Sequence, residues 1–225
     1  MNAKPHYIGH RKRLRERFAK KLDALPDYEM LELVLFMAKA RGDVKPLAKR
    51  LIERFGSYAR TISADERELK EVKDVGDAVV TAFRTVREAA VRLARDEVIG
   101  QPVLSSWQAL LDYCQASMGY AKTEQFRLFY LNRKNAVLAD ELQQEGTVDF
   151  TPVFPREVVK RALELGATAI IMVHNHPSGD LEPSDDDITM TREIKEAAEK
   201  LGIVSHDHVI IGKGGTTSFK SAGYL

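Results

Sequence analysis

Cysteine is almost missing from the chain: Cys114 is the only one in 225 residues. No disulfide can close within the chain, and no cysteine cluster of the zinc-ribbon kind can form. Cys114 falls among Leu110, Leu111 and Met118 at helical spacing, which predicts a core position. Long hydrophobic runs are missing too, since none approaches the roughly 20 residues that cross a bilayer. The opening MNAKPHYIGHRKRLRERF has basic residues with no apolar stretch behind them, unlike a secretory signal. There are no internal repeats and no low-complexity tract. Together these absences predict a cytoplasmic globular protein without membrane contact.

Net charge is nearly absent as well, at +1, but it hides an asymmetry. Residues 1–98 hold 22 Lys and Arg against 16 Asp and Glu, a surplus of +6, whereas residues 99–225 hold 12 against 17, or −5. A split of this kind predicts two domains with different partners.

Residues 1–98 read as helix. Basic side chains crowd 4–21, among them Lys4, Arg11, Lys12, Arg13, Arg15, Arg17, Lys20 and Lys21, opposed only by Glu16. A helix follows Pro26, with Asp27 as its expected N-cap and Met30, Leu31, Val34, Leu35 and Ala38 in i, i+3, i+4 order. Further helices are predicted at 44–55, 65–72 and 77–96. The breakers of Ile99-Gly100-Gln101-Pro102 mark the boundary. Beyond it the rhythm changes. A helix at 105–117 precedes strand-like FRLFYLN and AVLADELQ, which are joined by a turn at Asn132–Asn135. A helix after Pro155 stops at Gly166, TAIIMVHNH reads as a buried strand, Ser184–Leu201 as a helix and VSHDHVIIG as another strand. Strands alternating with helices predict an α/β (α+β) domain over 103–225.

His174 and His176 close the strand built on Ile170, Ile171 and Met172. Strand side chains alternate with period two, so both imidazoles leave one face and can share a cation. A third ligand has to come from Asp180, Asp185, Asp186 or Asp187. At 100° per residue, Asp187 lies within about 60° of Met190, Ile194, Ala198 and Leu201, in the apolar stripe of its helix. Asp186 is displaced by up to about 120° from members of that stripe, and Asp185 lies further round. An aspartate aimed into a helix–sheet interface needs a partner, because an unpaired buried carboxylate is costly. A cation supplies one. A capping box of Ser184 with Asp187 supplies another reason for the same residues, and the two roles are compatible. Two imidazoles and one carboxylate leave a tetrahedral zinc ion one open position, as in catalytic sites. Such an ion activates water and polarises carbonyls. A general base is still required, and by residue type Glu124, Glu141, Glu145 and Glu157 are equally eligible.

The order His174-Asn175-His176-Pro177, six residues, Ser184, two residues, Asp187 resembles the H-x-H-P-x6-S-x-x-D signature of JAMM (MPN-type) metalloproteases. HNHPSG, PSDDD and the later DHVIIG are similar in particular to the bacterial RadC family, and the helical first half resembles that family more loosely. The resemblance implies a cytidine-deaminase-like JAMM/MPN fold preceded by a small all-α helix-hairpin-helix domain. It implies a Zn(2+) hydrolase, one ion per chain, acting on an amide or isopeptide bond in a peptide or protein conjugate. It further implies Glu124 as general base and Ser184 as the group that steadies the oxyanion. The family also implies a second reading, a DNA-associated repair or recombination accessory protein whose zinc site does no catalysis. A metal-dependent nuclease ranks last, because a single two-histidine, one-aspartate set suits zinc better than the carboxylate-rich magnesium sites of phosphoryl transfer.

LKEVKDVGDAVV, at 69–80, is similar to a helix-hairpin-helix turn, but Asp74 stands where its first glycine is expected and Asp77 follows Gly76. The basic stretch at 4–21 is the better electrostatic candidate for DNA. His206-Asp207-His208 forms a second HxH without a carboxylate at suitable spacing. The expected role is structural, with Asp207 or His208 hydrogen-bonding near the metal site.

Overall fold

The computed structural model describes residues 9–22, 25–146 and 153–225. The chain divides into two compact units, Met1–Ala90 and Val91–Leu225.

The first unit is helical: α1 (His10–Lys20), α2 (Asp27–Ala38), α3 (Lys45–Phe55), α4 (Tyr58–Ile62), α5 (Glu66–Lys70) and most of α6 (Asp77–Asp96), within which the division falls. Leu14, Leu31, Leu35, Leu51, Leu69 and Phe83 make its core. Asp27 is not the N-cap of α2: Pro26 holds that position, and the Asp27 carboxylate instead accepts from the Tyr58 N–H at 2.8 Å, tying α2 to α4. Of the basic stretch, Lys4 lies outside the described residues, and Lys12, Arg13, Arg15, Lys20 and Lys21 are exposed on or beside α1.

The second unit is a mixed α/β fold. After α7 (Trp107–Met118) come β1 (Glu124–Leu131), β2 (Val137–Gly146), α8 (Pro155–Glu164), β3 (Ala169–Asn175), α9 (Asp185–Glu199), β4 (Val204–Gly212), β5 (Gly215–Ser218) and α10 (Phe219–Ala222). The sheet runs β2-β1-β3-β4-β5, parallel only between β3 and β4. Strand alternation divides its side chains between two cores. Phe129, Leu131, Ile171 and Val173 pack with Leu110, Cys114 and Met118 of α7. Phe126, Leu128, Tyr130, Ile170 and Met172 pack with Val158 and Ala162 of α8 and with Met190, Ile194 and Ala198 of α9. β3 is buried along its whole length, as its unbroken apolar run requires. Residue 174 therefore belongs to the face covered by α9, while residue 175 belongs to the opposite one. No described helix is long and apolar enough to cross a membrane.

Candidate metal centre

Three side chains converge where β3 ends against the start of α9. His174 Nε2 lies 2.9 Å from His176 Nε2. Asp187 Oδ1 is 3.3 Å from His174 Nε2, and Asp187 Oδ2 is 3.6 Å from His176 Nε2. The Glu124 carboxylate, from the first residue of β1, joins them, and the four ligand atoms all lie within 4.8 Å of one another. Asp187 and His174 are buried, at 2% and 1% exposed, so their polar atoms depend on the partners gathered around them.

Local geometry explains the placement. After His176 the chain turns back, with the Gly179 N–H donating to the His176 carbonyl at 2.9 Å and Gly179 at φ 89°, which a side chain would resist. The turn brings the Asp180 carbonyl to 2.9 Å from His176 Nδ1. A carbonyl only accepts, so Nδ1 carries a proton and a neutral His176 presents a bare Nε2 to the site. Asp180 thus serves through its backbone, and its carboxylate accepts from the Glu182 N–H. At the head of α9, Ser184 and Asp187 form a reciprocal capping box. Ser184 Oγ accepts from the Asp187 N–H, and it donates its one proton to Asp187 Oδ2 at 2.6 Å. That carboxylate oxygen also accepts from the Ser184 N–H at 2.8 Å. Asp185 and Asp186 are exposed in the first turn of α9, where they complement its dipole.

The electrostatics follow. Burial opposes ionisation of Asp187, but hydrogen bonds with His174 and His176, together with that from Ser184, prevail and hold its carboxyl well below the usual carboxylate range. The same contact with Asp187 raises the His176 pKa against the opposing effect of burial. Two imidazole nitrogens 2.9 Å apart beside a carboxylate require a proton or a cation between them. For zinc at about 2.0–2.1 Å from each ligand, tetrahedral geometry puts ligand atoms about 3.3 Å apart. The observed 2.9, 3.3 and 3.6 Å bracket that value, so the residues present fit a cation.

Of the other glutamates considered, Glu141 pairs with Arg161 and Glu157 with Arg156. The Glu145 side chain lies outside the described ones. The second HxH separates: His206 bonds Asn135 at 2.7 Å, and Asp207 accepts from Ser218 Oγ and the Lys220 N–H. Only His208 reaches the centre, with Nε2 2.7 Å from His174 Nδ1. Burial pushes the His208 pKa well below that of a free imidazole, which keeps the ring neutral.

Two residues with a place here escape sequence reasoning. Thr191, one turn beyond Asp187, bonds His208. Asn175, between the histidines, faces the other way: its Oδ1 accepts from the Gln125 N–H at 2.9 Å and its Nδ2 donates to the Thr123 carbonyl at 3.1 Å. It grips the backbone on both sides of Glu124. Asn175→Ala is expected to cost about 1–3 kcal/mol in chemical denaturation, because it strips both bonds from a buried site. Asn175→Asp should not recover the loss, because it sets a buried carboxylate oxygen against the Thr123 carbonyl.

A cleft of about 740 Å³ opens over these residues, lined by Glu124, Phe126, Gln144, His176, Ser184 and Met190 among others. A five-strand mixed sheet with this cluster at the end of a central strand is the architecture of a JAB/MPN-type domain, and the RadC-like JAB domain family matches residues 104–224. The chain belongs to the RadC family. It is 56% identical over 223 residues to a UPF0758 protein of Ruegeria pomeroyi, covering 98% of this chain and all of that one. It is 58% identical over 213 residues to a UPF0758 protein of Rhodobacter capsulatus, covering 94% of this chain and all of the relative.

Proposed function

We propose that residues 103–225 are a metallohydrolase that cleaves an amide or isopeptide bond in a peptide or protein-conjugate substrate, with one Zn(2+) held by His174, His176 and Asp187. The observation that carries this reading is the convergence of two imidazole nitrogens and a buried carboxylate beside Glu124, where the cleft opens. The donor set favours zinc, since magnesium and calcium prefer all-oxygen shells. When bound, the ion would supply Lewis acidity, lowering the pKa of water to about 7 and polarising a carbonyl. The chain's residues do the rest. Glu124 takes one proton from the attacking water and returns it to the leaving amine nitrogen, so that water and amide become acid and amine. Phe126 and Met190 give the cleft apolar wall against which substrate is held near Glu124. Ser184 holds Asp187 in place and lines the cleft, and its role toward the oxyanion requires its hydroxyl proton to be released from Asp187. Elemental analysis of the purified protein should find about one zinc per chain, lost in His174→Ala, and chelation should abolish hydrolysis of isopeptide-linked conjugates. A protein that takes up no zinc overturns the reading.

A second reading assigns residues 1–98 to DNA. It draws on the exposed cations of α1 and on the turn between α5 and α6, where Asp74 adopts φ 75°, the left-handed conformation of the glycine it replaces. Its carboxylate is paired with Arg50, and that of Asp77 with Lys70, which offsets repulsion of phosphate. Salt-dependent binding to duplex DNA that survives Glu124→Ala and vanishes on removal of residues 1–21 is the expected result. Binding unchanged by that removal would exclude α1 as the contact.

A further inference from the structure

Behind the metal centre, a buried polar chain does a job that the hydrolytic reading leaves unassigned. Thr191 Oγ1 lies 2.6 Å from the Asp187 carbonyl and 2.6 Å from His208 Nδ1, and His208 Nε2 lies 2.7 Å from His174 Nδ1. Thr191 and His208 are fully buried. Elementary donor counting directs every proton. The Asp187 carbonyl can only accept, so it takes the single hydroxyl proton of Thr191. Thr191 Oγ1 must then accept, and His208 Nδ1 donates to it. The His208 ring is fully buried and bonds Thr191 and His174 rather than a carboxylate, so it holds one proton, already spent on Thr191, and its Nε2 accepts from His174 Nδ1. His174 is left with a lone pair on Nε2, the atom 2.9 Å from His176 and 3.3 Å from Asp187.

We propose that Thr191 and His208 are positioning residues that lock His174 in its Nδ1–H tautomer and so present an unprotonated Nε2 to the cation. The inference rests on the metal reading above and deepens it. Metal-bound histidines commonly donate their second nitrogen to a carboxylate or backbone carbonyl, as His176 donates to the Asp180 carbonyl. At His174 the acceptor is a second imidazole, which could equally well donate, so the tautomer must be set from further away. Thr191 sets it. Turning the His208 ring over would set carbon against both Thr191 and His174, and the ring is packed against Phe219 at 4.4 Å and Phe126 at 5.5 Å between centroids. The chain starts at the Asp187 carbonyl and returns to the Asp187 carboxylate, so one residue of α9 anchors both a ligand of its own and the proton order of another.

The test is zinc affinity, measured by competition with a chromophoric chelator, alongside long-range ¹H–¹⁵N NMR of the imidazoles. Thr191→Val keeps the shape and removes the hydroxyl. It is expected to weaken zinc binding about 10- to 100-fold and to leave His174 a mixture of tautomers. Thr191→Ser keeps the hydroxyl and should bind zinc within about threefold of the parent, with His174 still protonated at Nδ1. His208→Phe keeps the ring stack and removes both nitrogens; it should weaken binding as Thr191→Val does, and it stands in should that variant fold poorly. Parental affinity and a single His174 tautomer in Thr191→Val would overturn the proposal alone. Absence of zinc binding in the parent would overturn the metal reading and this inference with it.

Discussion

Glu124→Gln is expected to lower amide hydrolysis by about 10²- to 10⁴-fold while leaving zinc content at one per chain, the range assigned to loss of a positioned general base. Glutamine keeps the shape and polarity of the side chain but cannot accept the proton of the attacking water. The separation of the two readouts is what gives the experiment force. Glu124 lies within the same 4.8 Å cluster as the three proposed ligands, so a fourth-ligand role is geometrically open to it. A ligand role makes zinc fall together with activity. A base role makes activity fall alone, and only this outcome supports the proton route from water to amine. The contrast with Asn175 is informative, because its side-chain amide bonds the backbone beside Glu124.

The difference between Glu124 and the other site residues also marks the limit of what the chain discloses on its own. His174 and His176 are legible because strand alternation is local. Asp187 is legible because a helical wheel is local, and the structure buries it while leaving Asp185 and Asp186 exposed. Glu124 depends on a long-range register in which Phe126 pairs with His174 across antiparallel strands. Nothing within a few residues of Glu124 encodes that register, and only the family resemblance singled it out. Asn175 reads in sequence as a spacer between ligands, since its partners lie 50 and 52 residues away. The two histidines of the second HxH separate, with a register shift where β4 meets Ile170 and Ile171 of β3. The change from helix to mixed α/β was visible because it is written in periodicity. The short elements α4, β5 and α10, only four or five residues each, were not predicted, being held by Ser57 and Ser218 caps and by neighbours brought up in the fold.

Asp187→Asn should remove the zinc-dependent rise in melting temperature altogether, and its effect on pH dependence has a definite sign. In the parent without metal, the Asp187 carboxyl is held below its ordinary pKa, so its contribution to stability is present above about pH 4 and is lost as pH falls from there. The His176 pKa is raised, so its contribution is complete below about pH 6.5 and is lost as pH rises through the elevated value. These two groups alone favour about pH 4 to 6.5, but His206 and His208, with lowered pKa values, take stability away as pH falls below about 6.5, so the metal-free protein is expected to melt highest near pH 6.5. Zinc reverses the upper limb, because protons compete with it for the two Nε2 atoms and its affinity grows as they leave. The stabilisation by zinc should accordingly widen from pH 6 to pH 8, following the mass-action dependence on affinity. Asparagine takes away the charge that links both limbs. It lacks the second carboxylate oxygen, disturbs the reciprocal cap with Ser184 and presents an amide to the imidazoles. Since loss of a supporting residue around a metal costs about 10- to 100-fold in affinity, loss of a direct ligand should exceed about 100-fold. Melting curves of parent and variant at pH 6 and 8, each with chelator and with zinc, read all of this at once. An undiminished zinc shift in Asp187→Asn would place the ion elsewhere.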